Sequence, residues 1–219
     1  PFDEQLLIYA QRPDAIACAS MELWNERMRR WVKPGTKGIA LIRKDGRGRS
    51  SLEYVFDVAD TRPVEGAKAP YLWKMEEHHH TAVLKALEQR YGPVEDGDIG
   101  DQIMELARRT VERSYLGHLN ELAYDVRNGR LGEQEGVNLE VAYQDVLTAS
   151  VQYTVLTRCG LDSAEFMEDD DLAGITAFTT PAVLHHLGSA VSEVSMDLLN
   201  EIGRAVKEYD RRQREESKN

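Results

Sequence analysis

Residues 38–58 read GIALIRKDGRGRSSLEYVFDV, and this stretch decides the fold class. Gly38-Ile39-Ala40-Leu41-Ile42 is a short apolar run of strand type. In the second run Leu52, Tyr54, Phe56 and Val58 alternate with Glu53, Val55, Asp57 and Ala59, a period of two with a buried face. Between the runs, Arg43-Lys44-Asp45-Gly46-Arg47-Gly48-Arg49-Ser50 carries an Asp-Gly step and a second glycine, which suit the positive φ of a hairpin tip. The segment predicts a β-hairpin with an arginine-rich tip.

Upstream, residues 2–10 read as a short amphipathic helix stopped at Arg12-Pro13. A second helix is expected from Ser20, an N-cap residue, carrying Met21, Leu23, Trp24 and Met28. Downstream, residues 63–70 are rich in Gly, Ala and Pro and read as a linker or boundary. From Tyr71 the pattern is helical throughout. Helices are expected at 71–91, 99–128, 138–159 and 180–214, closed in turn by Gly92-Pro93, Gly129 and Gly160 for the first three. The third is apolar on most faces and reads as central. The last opens with Thr180-Pro181 and repeats Leu184, Leu187, Val191, Val194, Leu198, Ile202, Val206 and Tyr209 at spacings of three and four, the spine of a bundle in preference to a partner-binding helix. The fold class is therefore α+β: a small N-terminal helix and hairpin module, residues 1–63, followed by an all-helical bundle, residues 71–219.

Apolar residues make up 42% and charged residues 30%, a globular balance, and no stretch approaches a membrane span. The only cysteines are Cys18 and Cys159, too few for a zinc site or a disulfide scaffold, so a reducing cytoplasm is expected. A first residue of Pro1 in place of Met reads as a piece of something longer. The formal charge of −11 argues against a polyanionic partner until its distribution is considered. Residues 27–49 hold nine Lys or Arg against the single Asp45, a local charge of +8. Residues 1–26 carry −4 and the remaining 170 residues −15.

Single-stranded nucleic acid is held by a cationic track along its backbone and by aromatic faces that stack its bases. The basic segment offers both. Its candidate binding residues are Trp24, Arg29, Arg30, Trp31, Lys33, Lys37, Arg43, Lys44, Arg47 and Arg49. Lys33-Pro34-Gly35-Thr36-Lys37-Gly38 adds a turn whose backbone amides can approach a phosphate closely. The competing reading makes both tryptophans core and the cations a solvated face.

Trp31-Val32-Lys33-Pro34-Gly35-Thr36-Lys37-Gly38-Ile39-Ala40-Leu41, with Tyr54-Val55-Phe56-Asp57-Val58-Ala59-Asp60-Thr61 after the hairpin, resembles the N-terminal domain of ArdC-type antirestriction proteins. Residues 7–15, Leu-Ile-Tyr-Ala-Gln-Arg-Pro-Asp-Ala, are similar to the version at the front of large helicase–methyltransferase proteins of conjugative elements. Lys37 and Gly38 match the family's turn, while Pro34 and Thr36 depart from its usual Lys and Glu. The resemblance spans about residues 2–62 and implies binding of single-stranded DNA, with helicase or methyltransferase domains downstream in the same polypeptide. Residues 71–219 are similar to the segment that follows this domain in those proteins, and no activity is implied for it.

No catalytic residue, metal or cofactor is expected. There is no phosphate-binding lysine loop, dinucleotide fingerprint or nucleophile elbow, and the His-Glu-x-x-His pattern of full-length ArdC proteins is missing. His78-His79-His80 on a helix would point about 100° apart and fail to chelate together, leaving Glu76 and His80 as half a site. Glu168-Asp169-Asp170-Asp171 lacks the spacing of a calcium loop and reads as the solvated start of a helix. The alternative function is a protein-interaction module in which the acidic helices mimic DNA or act as a scaffold for domains downstream.

Overall fold

The computed structural model describes residues 1–44, 46–94, 97–126, 136–178 and 180–217. The chain divides into two compact units, Pro1–Leu72 and Trp73–Asn219. The first is α+β and the second is helical, as the sequence pattern implies.

In the first unit the hairpin forms as expected. Strand β3, Ile39–Lys44, pairs antiparallel with β4, Ser50–Asp57, in a register that sets Ile39 against Val55 and Ile42 against Leu52. Gly48 supplies the positive φ at the tip, at +74°. A short strand β1, Cys18–Ser20, joins the other side of β4, giving a sheet of order β1-β4-β3. Helix α1, Phe2–Gln11, lies along β3, and its Leu7 and Ile8 pack on Ile39, Leu41 and Val55. Its last residue does a second job. The Gln11 side-chain amide donates to the Ala40 carbonyl at 2.8 Å and accepts from the Ala40 N–H at 2.9 Å, so one side chain satisfies a backbone pair of this strand.

Three expectations change. Leu52 and Tyr54 are on the open face of β4, while Val55 and Asp57 are buried. Asp57 can point inward because its carboxylate accepts the N–H groups of Ile16, Ala17 and Ala59. The helix expected from Ser20 is a single π-helical turn, Leu23–Arg27: Ser20 Oγ accepts the Leu23 N–H at 3.2 Å, but Ser20 itself ends β1, and the chain leaves the turn for strand β2, Arg30–Val32. Residues 63–70, expected as a linker or boundary, fold as the end of the first unit. Strand β5, Thr61–Pro63, pairs with β2, and beyond it Val64 N–H donates to Arg29 O and Lys68 N–H to Met28 O.

Among its described residues the second unit packs four α-helices: α2, His80–Tyr91; α3, Ile99–Val126; α4, Gly136–Cys159; and α5, Pro181–Glu216. Helix α2 starts later than expected, and a 3-10 turn, Glu77–His79, precedes it. The expected stop at Gly129 lies outside the described residues. Helix α4 touches α3, α5 and a 3-10 segment, Asp169–Ala177, which explains why Tyr143, Leu147, Val151, Val155 and Leu156 are all buried around it. That segment begins where the acidic run predicts, with Asp171 accepting the Glu168 N–H at 2.8 Å. Helix α5 is the spine: Thr180 caps it through the Val183 N–H, and Val183, Leu187, Ala190, Val194, Leu198, Ile202 and Val206 are buried along one stripe. Among the described residues, no helix is long and apolar enough to cross a membrane.

Candidate nucleic-acid interface

The segment 27–49 is built from the π-turn, β2, the turn at 33–38, β3 and the hairpin tip, and its residues separate into distinct environments. Trp24 is a core residue, 2% exposed, whose indole Nε1 donates to the Phe56 carbonyl at 2.8 Å. Both ring faces are covered, so it offers no base a surface; this corrects the expectation that it stacks one. Trp31 sits at the centre of β2 and is 50% exposed. Its directly paired residue on β5 is Arg62, which places the two side chains on one side of the ribbon.

Arg29 adopts a left-handed backbone, φ 52°, the only described non-glycine residue to do so. This bend reverses the chain from the π-turn into β2. Its guanidinium lies against Gly66, where a Cβ would come within 2.9 Å of Arg29 Nη1, so a glycine is what lets the side chain rest there. Arg30 Nε donates to Thr61 Oγ1 at 2.8 Å, and Lys33 Nζ donates to the Ala59 carbonyl at 2.8 Å. Each is oriented by one such bond and keeps further N–H groups for a ligand. Lys37 is exposed and has no hydrogen-bond or ion-pair partner among the described residues.

Arg43 is different. It is held between Glu4 at 2.9 Å and Glu53 at 3.0 Å, on the side of the sheet covered by α1, so its charge is already answered by two carboxylates. It is withdrawn from the phosphate-contacting set. Arg47 and Arg49 are exposed at the tip, and the Lys44 side chain lies outside the described residues. Two residues absent from the candidate set join the surface: Arg62, near the end of the first module, and Tyr54, on the alternating second strand. The signal for Arg62 was its place opposite Trp31, which only the register reveals.

A short network fixes the base of the site. Arg12 pairs with Asp60, while Asp57 caps the 3-10 turn Val58–Asp60 that leads into β5. Burial alone would raise the Asp57 carboxyl, but hydrogen bonds from Ala59, Ile16 and Ala17, with Arg12 nearby, hold it below the usual carboxylate range.

In the second unit the histidines meet in a way the helix-based argument did not allow. Because residues 77–79 form a 3-10 turn, the His78 and His79 rings lie 3.9 Å apart between centroids, and their ligand atoms and that of Asp210 fall within 4.8 Å of one another. His79 is nevertheless fully engaged. Its Nδ1 accepts the Glu76 N–H at 3.0 Å, so the ring proton is on Nε2, directed at Asp210 Oδ1 3.0 Å away. A metal on Nε2 would displace that proton and also the Glu76 bond, and the trio reads as a clasp between the 3-10 turn and α5.

No family model, curated protein or solved structure matches the chain.

Proposed function

We propose that residues 1–72 bind single-stranded DNA in a non-catalytic role, as part of a larger DNA-handling protein of a mobile element in the cytoplasm. The observation that carries this reading is Trp31: a half-exposed indole at the centre of β2, with Arg62 opposite it, Arg30 beside it on the strand, and Arg29, Lys33 and Lys37 on the adjoining turns. A stacked base on Trp31 and phosphates on the flanking cations would hold a strand with little sequence preference. The likeness of residues 31–41 and 54–61 to the ArdC-type turn and strand supports the choice of DNA. The same likeness supports helicase or methyltransferase domains in the same polypeptide as partners.

The rival reading rests on the −13 carried by the second unit, where twenty-eight Asp and Glu face fifteen Lys and Arg. Part of that acid is paired locally. Glu105 binds Arg108 and Arg109, Glu201 binds Arg204, and Glu208 binds Arg211 and Arg212. A DNA mimic needs a continuous negative track, and arginines interleaved at these positions work against one, so the nucleic-acid reading stands first.

The test is a salt titration of a labelled single-stranded oligonucleotide followed by anisotropy. Replacing Arg29, Arg30, Lys33 and Lys37 by alanine should lower the slope of log affinity against log salt by roughly 3, at about 0.7 for each phosphate no longer neutralised. An unchanged slope, no binding at about 50 mM salt, or a strong preference for duplex would defeat the proposal.

A further inference from the structure

We propose that the open face of the β1-β4-β3 sheet is a second stacking platform, centred on Tyr54, which takes unpaired bases of the strand held by the basic segment. It rests on the single-stranded reading above. The register puts Ala40 opposite Tyr54 and Ile42 opposite Leu52, so these four side chains share one face, while Ile39, Leu41 and Val55 share the other. Helix α1 covers only the second. On the first, Tyr54 is 52% exposed, Ile42 54% and Leu52 63%. Single exposed apolar residues are ordinary, but three adjacent ones on a regular surface mark a contact site.

The chemistry of the surroundings selects the occupant. Among the described residues of the two strands, this face carries no carboxylate: it holds Ala40 and Ile42 on β3 and Ser50, Leu52, Tyr54 and Phe56 on β4, with Gly38 just before β3. The nearest acid on either strand, Glu53, points to the α1 side and binds Arg43. Cations stand at both ends along the strands, with Lys33 and Lys37 on the turn entering β3 and Arg47 and Arg49 at the tip. Gly38 extends the aromatic surface. A Cβ there would lie 3.0 Å from Tyr54 Cβ and 3.1 Å from the Phe56 ring, so its absence lets the Phe56 ring rest over the backbone next to Tyr54. An apolar, acid-free strip between two groups of cations suits a ligand whose planar groups are apolar-faced and whose backbone is anionic. Unpaired nucleobases on a phosphate chain have that pattern.

The experiment compares two labelled oligonucleotides of equal length and charge on the full chain, one of thymidines and one abasic through its centre. The wild-type protein should prefer the strand with bases. Tyr54→Ala should weaken that strand by about five-fold or more, the low end for one stacked base, and leave the abasic strand unchanged, with Tyr54→Trp restoring the preference. Circular dichroism checks that both variants fold, which their exposed position favours. If Tyr54→Ala leaves both affinities unchanged while the four-alanine variant loses binding, the platform is refuted and the basic-segment reading survives. If the wild-type chain binds neither strand, both fall. If sedimentation shows a dimer that Leu52→Ser or Tyr54→Ala dissociates, the face is a self-interface and the proposal is wrong.

Discussion

Trp24 and Trp31 flank one short basic stretch and end in opposite environments, one bonded to Phe56 in the core and the other half in solvent. Composition treats them alike; only the π-turn and the left-handed Arg29 between them separate an inward from an outward indole. Asp57 is the residue on which this geometry depends. It joins the segment before β1 to the turn before β5, and Trp24 bonds to the carbonyl immediately before it. Asp57→Asn replaces charge-assisted hydrogen bonds to backbone amides and should cost about 2 kcal/mol. The sign of the pH effect follows from the lowered carboxyl. Its folded pKa lies below the unfolded value of about 3.9, so its stabilisation is complete above that value and is lost as pH falls through the folded one. Urea unfolding followed by tryptophan fluorescence should show wild type and Asp57→Asn well separated at about pH 6, with the gap narrowing as pH falls below about 4. A constant gap across that range would mean the carboxylate's charge is not what the amides hold.

At the scale of elements, two helical glycines give opposite expectations from one substitution. Gly117 lies inside α3 with nothing within 4 Å of where an alanine methyl would sit, so Gly117→Ala should add about 1 kcal/mol through helix propensity. Gly203 lies inside α5 against Trp73, where a Cβ would be 2.5 Å from the indole Nε1. That ring is sandwiched, with the Arg158 guanidinium 3.8 Å from its centroid and bonded to the Trp73 carbonyl. Gly203→Ala should therefore destabilise by about 1–3 kcal/mol despite the same gain in propensity, and thermal melts of the two variants decide it. The bundle's helices were legible because their apolar period is long and the caps at Thr180 and Gly92 are explicit. The orientation of β4 was not. Strand β3 is apolar at Ile39, Ala40, Leu41 and Ile42 alike, so it names no inner face, and a buried Asp57 counts as an outward residue in any alternation. Likewise Arg43 looked like its neighbours until the fold brought Glu4, from the far end of the unit's sequence, beside it. Local pattern finds elements; partners distant in sequence decide which side chains are spent.

For the whole molecule, the proposed binding of a polyanion has to be reconciled with a net charge of −11. The first unit holds twelve Lys and Arg against ten Asp and Glu, a net +2, and the second holds −13. Attraction at the basic segment acts at close range, whereas the repulsion from the second unit acts through the field and is screened over about 10 Å at 0.1 M salt and 30 Å at 0.01 M. Two consequences follow for a fragment ending at Leu72. If binding resides in the first unit, the fragment binds the oligonucleotide more tightly than the full chain at low salt, and the two converge as salt rises. The small core around Ile39, Leu41 and Val55 makes the fragment less stable than the bundle, so its circular dichroism and tryptophan emission must first match a folded state. A folded fragment that binds more weakly than the full chain at every salt concentration would mean that the acidic helices supply contacts of their own, because a purely repulsive second unit cannot raise affinity by being present.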